Sequence, residues 1–347
     1  MSKQSAKLKT KIVQKINDFI QEKQVPGLAF GLIDNNNPIL VDGFGLENVE
    51  HQIPVTPDSV FSIASITKVF TATAVFQLIE QGKLKLTDTL GQHLPHLPKA
   101  WHPVQIHHIL CHQSGIKSYT EVEAYWKSTR LDLPKDHILE LVADLPIQFE
   151  PGARQAYDNT GYYLLGYLIE KLSEKSYGDY LKQAIFAPLG MAQTEVNDPY
   201  KIIPGRANGY THKNRVIQNA EYYSPTGTYS AGMMVSSITY LIKFNSSLYT
   251  DKLLSEDSRR LMWTPRPSQA NNEAQFNYVL GYGWFLVTTE NGRLFAGHNG
   301  NMVGFCSSFT HFIKEKITVI ALYNYDLISI PHELPHQIVE MYLGIRD

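Results

Sequence analysis

The period of the apolar positions changes several times along the chain, and each change marks an element. Up to Gln24, Leu8, Ile12, Val13, Ile16, Phe19 and Ile20 recur three and four residues apart among lysines, which predicts an amphipathic helix. Two apolar runs follow, residues 27 to 33 and 39 to 44, separated by the turn-forming Asp34-Asn-Asn-Asn-Pro38, a hairpin pattern. Residues 62 to 82 then read as a long, mostly apolar helix, yet its first turn holds a hydroxyl, Ser65, and an amine, Lys68. From 84 to 234 the character changes: Pro-rich connectors such as Leu94-Pro-His-Leu-Pro98 separate helical patterns, clearest at 160 to 173 and 177 to 186. Beyond 234 come a helix at 238 to 249 and β-rich runs at 278 to 288, 294 to 296, 305 to 312 and 317 to 323, closed by a helix at 335 to 343. The Glu290-Asn-Gly292 turn between apolar runs is a strong hairpin signal. This order predicts an α+β fold: an antiparallel sheet built from both chain ends and flanked by helices, with a mostly helical insert. The expected domains are 1–83 with 235–347 for the sheet, and 84–234 for the helices.

Composition narrows the function more than the fold. With 347 residues, 43% hydrophobic and 18% charged, the chain can form one large or two joined domains with a real core and a deep cleft. A net charge of -2 and an isoelectric point near 6.7 supply no basic footprint for nucleic acid or an anionic membrane. No run of about 18 apolar residues predicts a membrane span. The lysine-rich N-terminus lacks the continuous apolar block of about 7 to 15 residues that a secretory signal needs. Its periodicity fits a surface helix, with a membrane-surface helix as the alternative. Cys111 and Cys306 are too few for a disulfide framework. The expected location is the cytoplasm, or the periplasm or exterior if a leader has been removed; the sequence sets no oligomeric state.

Three short patterns carry chemistry. Ser65-Ile-Thr-Lys68 is a Ser-x-x-Lys, whose first and last residues share a helix face. A buried lysine loses ammonium stabilisation and can take the serine proton. Chance alone supplies roughly one such match in a chain of this size, and Ser114-Gly-Ile-Lys117 is a second. Only Ser65 leads into a long apolar helix, whose backbone N–H groups can point at an oxyanion. A plain capping serine with a snorkelling lysine is the competing reading. Tyr157-Asp-Asn159, the only Tyr-x-Asn, precedes the helix from 160. A phenol beside an ammonium is expected to have a lowered pKa and act as a base, while the carboxamide holds substrate and lysine together; otherwise Asn159 serves as a helix cap. Gly297-His-Asn-Gly300 contains the only His-x-Gly. Its glycines permit close approach and its imidazole can donate a hydrogen bond, unless it is merely a turn with a satisfied histidine.

Ser-x-x-Lys, Tyr-x-Asn and His-x-Gly in this order, 92 and 141 residues apart, resemble the serine β-lactamase-like family, which unites class C β-lactamases, D-alanyl-D-alanine carboxypeptidases, D-aminopeptidases and related esterases. Residues 60–68, 108–115, 149–152, 188–191 and 281–284 are similar to that family as well, and the likeness runs from about residue 11 to residue 343. It implies a β-lactamase and penicillin-binding-protein-like fold with the active site between the two domains. By the same resemblance Ser65 is acylated, Lys68 and Tyr157 shuttle its proton, and Asn159 binds the acyl side chain. His298 stands where many β-lactamases carry a lysine, Asn299 and Gly300 lie along the substrate strand, and the backbone N–H groups of Ser65 and Asn301 form the oxyanion hole. It also gives the histidines between 93 and 112 a structural role in place of a metal site. No metal or cofactor is expected. A histidine at 298 holds a substrate carboxylate less firmly than lysine, which argues against efficient β-lactam hydrolysis, and no counterpart of the class A deacylating glutamate is evident. The expectation is a serine hydrolase acting on a small-molecule or short-peptide substrate, an esterase or D-amino-acid peptidase or amidase. The alternatives are an acyl transferase (transpeptidase or peptide cyclase), a β-lactamase, or a non-catalytic acyl-binding sensor.

Overall fold

The computed structural model describes residues 3–214, 216–268, 278–326 and 331–346. Its frame is an eight-stranded antiparallel sheet: β1 (Gly27–Asp34), β2 (Asn37–Asn48), β3 (Ile53–Pro54), β4 (Tyr278–Leu280), β5 (Phe285–Thr288), β6 (Leu294–Met302), β7 (Phe305–Phe312) and β8 (Ile317–Tyr323). Their order is β3-β2-β1-β8-β7-β6-β5-β4. The first and last strands in sequence are joined at its centre, where Leu28 pairs with Tyr323 and Asp34 with Ile317.

Both faces are covered, which is why β1 and β8 read as continuous apolar runs. Leu28, Phe30 and Leu32 face α1 (Lys3–Lys23) and the C-terminal helix Glu333–Arg346, packing with Ile12, Ile16, Phe19 and Ile338. The alternate positions Ala29 and Ile33 join the other core, with Phe70 of α2 (Thr67–Glu80). The period of two in β1 thus assigns one core to each face. The amphipathic stripe of α1 is spent on the sheet. No helix among the described residues is long and apolar enough to cross a membrane.

Helix α2 is buried on nearly every side, as expected of a helix without a polar face. It packs on α3 (Asn159–Ser173) and on the helix Ile238–Ser247, with Phe70 4.3 Å from Phe244 and also 5.9 Å from Phe186 between ring centroids. Between 84 and 234 most elements are helical, but the stretch also holds two features the periodicity did not show. A hairpin joins Tyr210–Lys213 to Val216–Asn219. A small sheet places Met234–Ser236 between Phe61–Ser62 and Glu195–Val196. The apolar stretch from 278 is two strands, not one: Gly283 adopts φ +79°, where a Cβ would collide with Ala72, so the chain breaks between β4 and β5 to let α2 approach.

Candidate active site

The Ser65 hydroxyl emerges from a 3-10 turn, Ala64–Ile66, that feeds α2. Ala64 holds φ +45°, a left-handed conformation that a side-chain-bearing residue keeps only under constraint. The constraint is visible on β6. A Cβ on Gly300 would lie 2.9 Å from Ala64 Cβ and would collide with the Ile63 carbonyl and the Ser307 hydroxyl. Ser307 donates to that same carbonyl at 2.8 Å. Gly300 therefore lets the strand press directly on the turn that presents Ser65.

One turn along, Lys68 is fully buried, and its Nζ has three partners: Asn159 Oδ1 at 2.8 Å, the Ala231 carbonyl at 2.7 Å and Ser65 Oγ at 3.2 Å. The first two can only accept, so they hold two N–H bonds whatever the protonation state. The third direction is aimed at Ser65, and in the neutral amine it carries the lone pair. Burial lowers the Lys68 pKa from 10.5 to about 7, against a smaller opposing pull from Asp158. The amine is therefore divided between charged and neutral forms near pH 7. The rings of Tyr157 and Tyr162 lie 4.8 and 5.5 Å from Nζ.

Tyr157 corrects the expectation placed on it. Burial is the main influence and pushes its phenol above the ordinary value; the Ser65 hydrogen bond opposes this and Asp158 adds to it. The ring edge remains open to the cleft, with 37% of the residue exposed, which softens the burial cost without reversing it. The nearby amine does not produce a phenolate, because an amine that is itself half neutral offers little positive charge. In the resting site Tyr157 is a phenol, and the neighbouring Ser65 hydroxyl only partly offsets the effect of burial. Stacking fixes its plane: His112 lies at 4.4 Å and Phe285 at 6.0 Å with an interplanar angle of 15°.

Asn159 is not the helix cap. Asp158 caps α3, its side chain accepting from Gly161 N–H, which frees the Asn159 carboxamide to accept from Lys68 and to donate to Thr120 Oγ1 at 3.0 Å. His298 is buried within β6, so the Gly297-to-Gly300 segment is strand, not turn. Its Nδ1 lies 2.6 Å from the Asn299 carbonyl. A carbonyl only accepts, so Nδ1 carries the proton and Nε2 is left as an acceptor. The expected donor role at this position is thereby reversed. Burial, reinforced by the Lys68 charge, lowers the His298 pKa to about 3, so the ring stays neutral.

Asn299 reaches the cleft wall, but its amide is engaged with His332 Nδ1 at 2.7 Å. The Asn301 side chain is tied to Cys306 Sγ and the Asp326 carbonyl. The pairing of β5 with β6 ends at Gly297, so among the described strands one edge of residues 298 to 302 is unpaired. An extended acyl group can add there.

The sequence reading missed part of the site. The Ala231 carbonyl holds Lys68, the Ser118 and Thr120 hydroxyls hold Asn159, and the His112 ring packs on Tyr157. A backbone carbonyl has no sequence signature. The others belong to a stretch that gave no period. Of the remaining histidines between 93 and 112, His93, His102 and His107 take local partners, Asp88, the Leu97 carbonyl and Gln105, while His108 accepts from Gln105 N–H.

The cleft has two lobes that meet at Ser65 and Asn159, about 360 and 540 Å³ in volume. One is lined by Tyr119, Trp126, Tyr223 and Met302, with Asp326 at its wall. The other is lined by Tyr157, Tyr278, Phe285, Val287 and His298. Segments 119–126 and 222–229 contribute to the first lobe, and Tyr278 to the second. No lysine or arginine is among the described residues lining either lobe.

An antiparallel sheet covered by helices, with a serine and a buried lysine at the N-terminus of a central helix, defines the fold class of penicillin-binding proteins and β-lactamases. Residues 12–329 match the family described as Beta-lactamase, and the chain belongs to that family. It is similar to penicillin-binding protein 4* of Bacillus subtilis, 31% identical over 297 residues, which span 81% of this chain and 64% of that protein. It therefore covers somewhat under two thirds of that relative. Among solved structures it resembles D-amino acid amidase of Ochrobactrum anthropi (25% identity, TM-score 0.85, covering 98% of this chain and 100% of the other). It also resembles an octameric penicillin-binding protein homologue of Pyrococcus abyssi (29% identity, TM-score 0.83, 98% and 77%).

Proposed function

We propose that the protein is a serine hydrolase that forms an acyl-enzyme on Ser65 and acts on small esters or on amides and short peptides of D-amino acids. The observation that carries this reading is the environment of Lys68: two N–H directions held by Asn159 and Ala231, the third aimed at Ser65 Oγ at 3.2 Å, and a pKa lowered to about 7. Neutral Lys68 takes the Ser65 proton as Oγ attacks the acyl carbon. The oxyanion is met by backbone N–H groups, those of Ser65 and Asn301 in this reading. The Tyr157 phenol, which lines the same lobe as Ser65 and lies over Lys68, passes a proton to the departing alkoxide or amine and recovers one from the Lys68 ammonium. Water then enters by the reverse path, giving its proton to the same pair and its hydroxyl to the acyl carbon. Residues 1–83 with 235–347, and residues 84–234, supply the two walls of the cleft.

The lining favours substrates whose leaving group carries no carboxylate. His298 is neutral, and the described walls offer no guanidinium or exposed ammonium to hold one. This fits an esterase or an amidase better than a carboxypeptidase or β-lactamase, in line with the likeness to a D-amino acid amidase. A panel of chromogenic esters, D-aminoacyl amides, D-alanyl-D-alanine peptides and a chromogenic cephalosporin tests it. Esters or D-amides are expected to be turned over at least tenfold faster, in kcat/KM, than the carboxylate-bearing compounds. The reverse order would reject the assignment.

A further inference from the structure

The second Ser-x-x-Lys, at Ser114, lies outside the chemistry above, yet Ser114 is almost fully buried. Its hydroxyl donates to Asp158 Oδ2 at 2.8 Å. Ser114 belongs to a segment, residues 112 to 120, that grips the Tyr157-Asp-Asn-Thr160 turn at every step. His112 Nδ1 accepts from Asp158 N–H at 3.0 Å, Ser118 Oγ from Asn159 N–H at 3.2 Å, and the Lys117 carbonyl from Thr160 Oγ1 at 2.7 Å. The His112 carbonyl accepts from Ala156 N–H at 2.9 Å, and Tyr119 N–H donates to Thr160 Oγ1 at 2.9 Å.

At the centre of this cradle is a carboxyl that no proton transfer above requires. Asp158 is 3% exposed and caps α3 through Gly161 N–H at 3.0 Å. A cap alone does not require a charge, since serine or asparagine serves equally. Burying a carboxylate is costly unless it is hydrogen-bonded and compensated. Here Ser114 and the N–H groups of Gly161 and Thr160 favour the ionised form, as does the Lys68 ammonium.

We propose that Asp158 is a positioning residue: clamped by Ser114 and the 112 to 120 segment, it orients Tyr157 and Asn159, and it places a fixed negative charge beside Lys68 that opposes the loss of its proton. The titratable groups around Lys68 are Asp158, Tyr157 and Tyr162 from the start of α3, His112 from the cradle and His298 from β6. The two histidines are held neutral by burial and the two tyrosines are phenols. Asp158 is thus the one anion in this set. Its own pKa is raised to about 6 by burial, so it is mostly ionised where Lys68 titrates. The acid limb of activity then belongs to the pair.

This inference rests on Lys68 being the base. Its test is the pH dependence of kcat/KM toward a chromogenic ester for the wild-type protein and for Asp158→Asn, Asp158→Ser and Asp158→Glu. Asn and Ser keep a capping group and remove the charge, so the acid limb is expected to move down by about half a pH unit or more in both. Glu keeps the charge, so its limb is expected to stay in place while kcat falls through misplacement of Tyr157. An unmoved limb in Asp158→Asn and Asp158→Ser would reduce Asp158 to a helix cap and overturn the proposal. A wild-type profile with no limb near pH 7 would instead overturn the reading of Lys68 as the base. Should the neutral variants fail to fold, 13C NMR of the wild-type Lys68 Cε decides: a two-step titration supports the coupling, and a single step overturns it.

Discussion

In the proposed mechanism the reactivity of Ser65 near pH 7 is limited by how much of Lys68 is neutral, a fraction governed mainly by burial. The fall from 10.5 to about 7 corresponds to about 5 kcal/mol of differential solvation, at roughly 1.36 kcal/mol per pH unit. At pH 7 about half of the amine is unprotonated; at its ordinary pKa only about 1 in 3,000 would be. kcat/KM is therefore expected to rise about tenfold per pH unit below 7 and to level off above it. Lys68→Arg, which cannot deprotonate, is expected to lose at least 10³-fold. Stability carries the same signature with a definite sign. A lysine whose folded pKa lies below its unfolded value destabilises the fold fully below pH 7, and the penalty fades as pH rises to 10.5. Denaturant unfolding of the wild type and of Lys68→Met isolates this, because the other titrating groups largely cancel in the difference. Between pH 7.5 and 9.5 the wild type is expected to gain about 2.5 kcal/mol on the variant. A difference that stays flat over that range, together with a pH-independent rate between pH 5.5 and 8, would refute the claim that Lys68 is desolvated and acts as the base.

Three further outcomes follow from the packing. Gly300→Ala forces a Cβ against the Ile63 carbonyl and Ala64, so kcat is expected to fall at least tenfold as the Ser65 turn shifts, measured by steady-state kinetics beside a melting curve. His298→Lys places a cation in a lobe whose described lining has none; the ratio of kcat/KM for carboxylate-bearing over neutral substrates is expected to rise about tenfold, and an unchanged ratio would mean this position does not face the leaving group. Ile16 is fully buried against the sheet, so Ile16→Ala is expected to cost about 2 to 5 kcal/mol in urea unfolding. A cost near zero would return α1 to the role of a detachable surface helix.

What the sequence made legible was whatever depends on period and local chemistry. The apolar body of α2 announced a buried helix, and Asn291-Gly292 announced the hairpin that joins β5 to β6. The order of Ser65, Tyr157 and His298 singled out one of two Ser-x-x-Lys matches, and the structure gathers all three residues along one lobe with Lys68 beneath. Desolvation was not legible, because it is a property of the assembled core. The Tyr157 phenol was expected to be drawn down by a charged amine, yet burial raises the phenol and also removes much of the amine's charge. Hydrogen bonds that reach across the chain were equally hidden: Asp158 and not Asn159 caps α3, Asn299 carries the carbonyl that turns His298 into an acceptor, and Ala231 contributes only its backbone. The hairpin of Tyr210–Lys213 with Val216–Asn219 escaped notice because every residue of its second strand is exposed, leaving no alternation to read.

The central claim is that Ser65 carries the acyl group, and peptide-mapping mass spectrometry tests it most directly. The protein is mixed with a slowly hydrolysed activated ester, quenched in acid and digested. The expected result is a single added acyl mass on the peptide containing Ser65, forming faster as pH rises through 7 and absent from Ser65→Ala. An adduct on another residue, or steady turnover that survives Ser65→Ala, would contradict it.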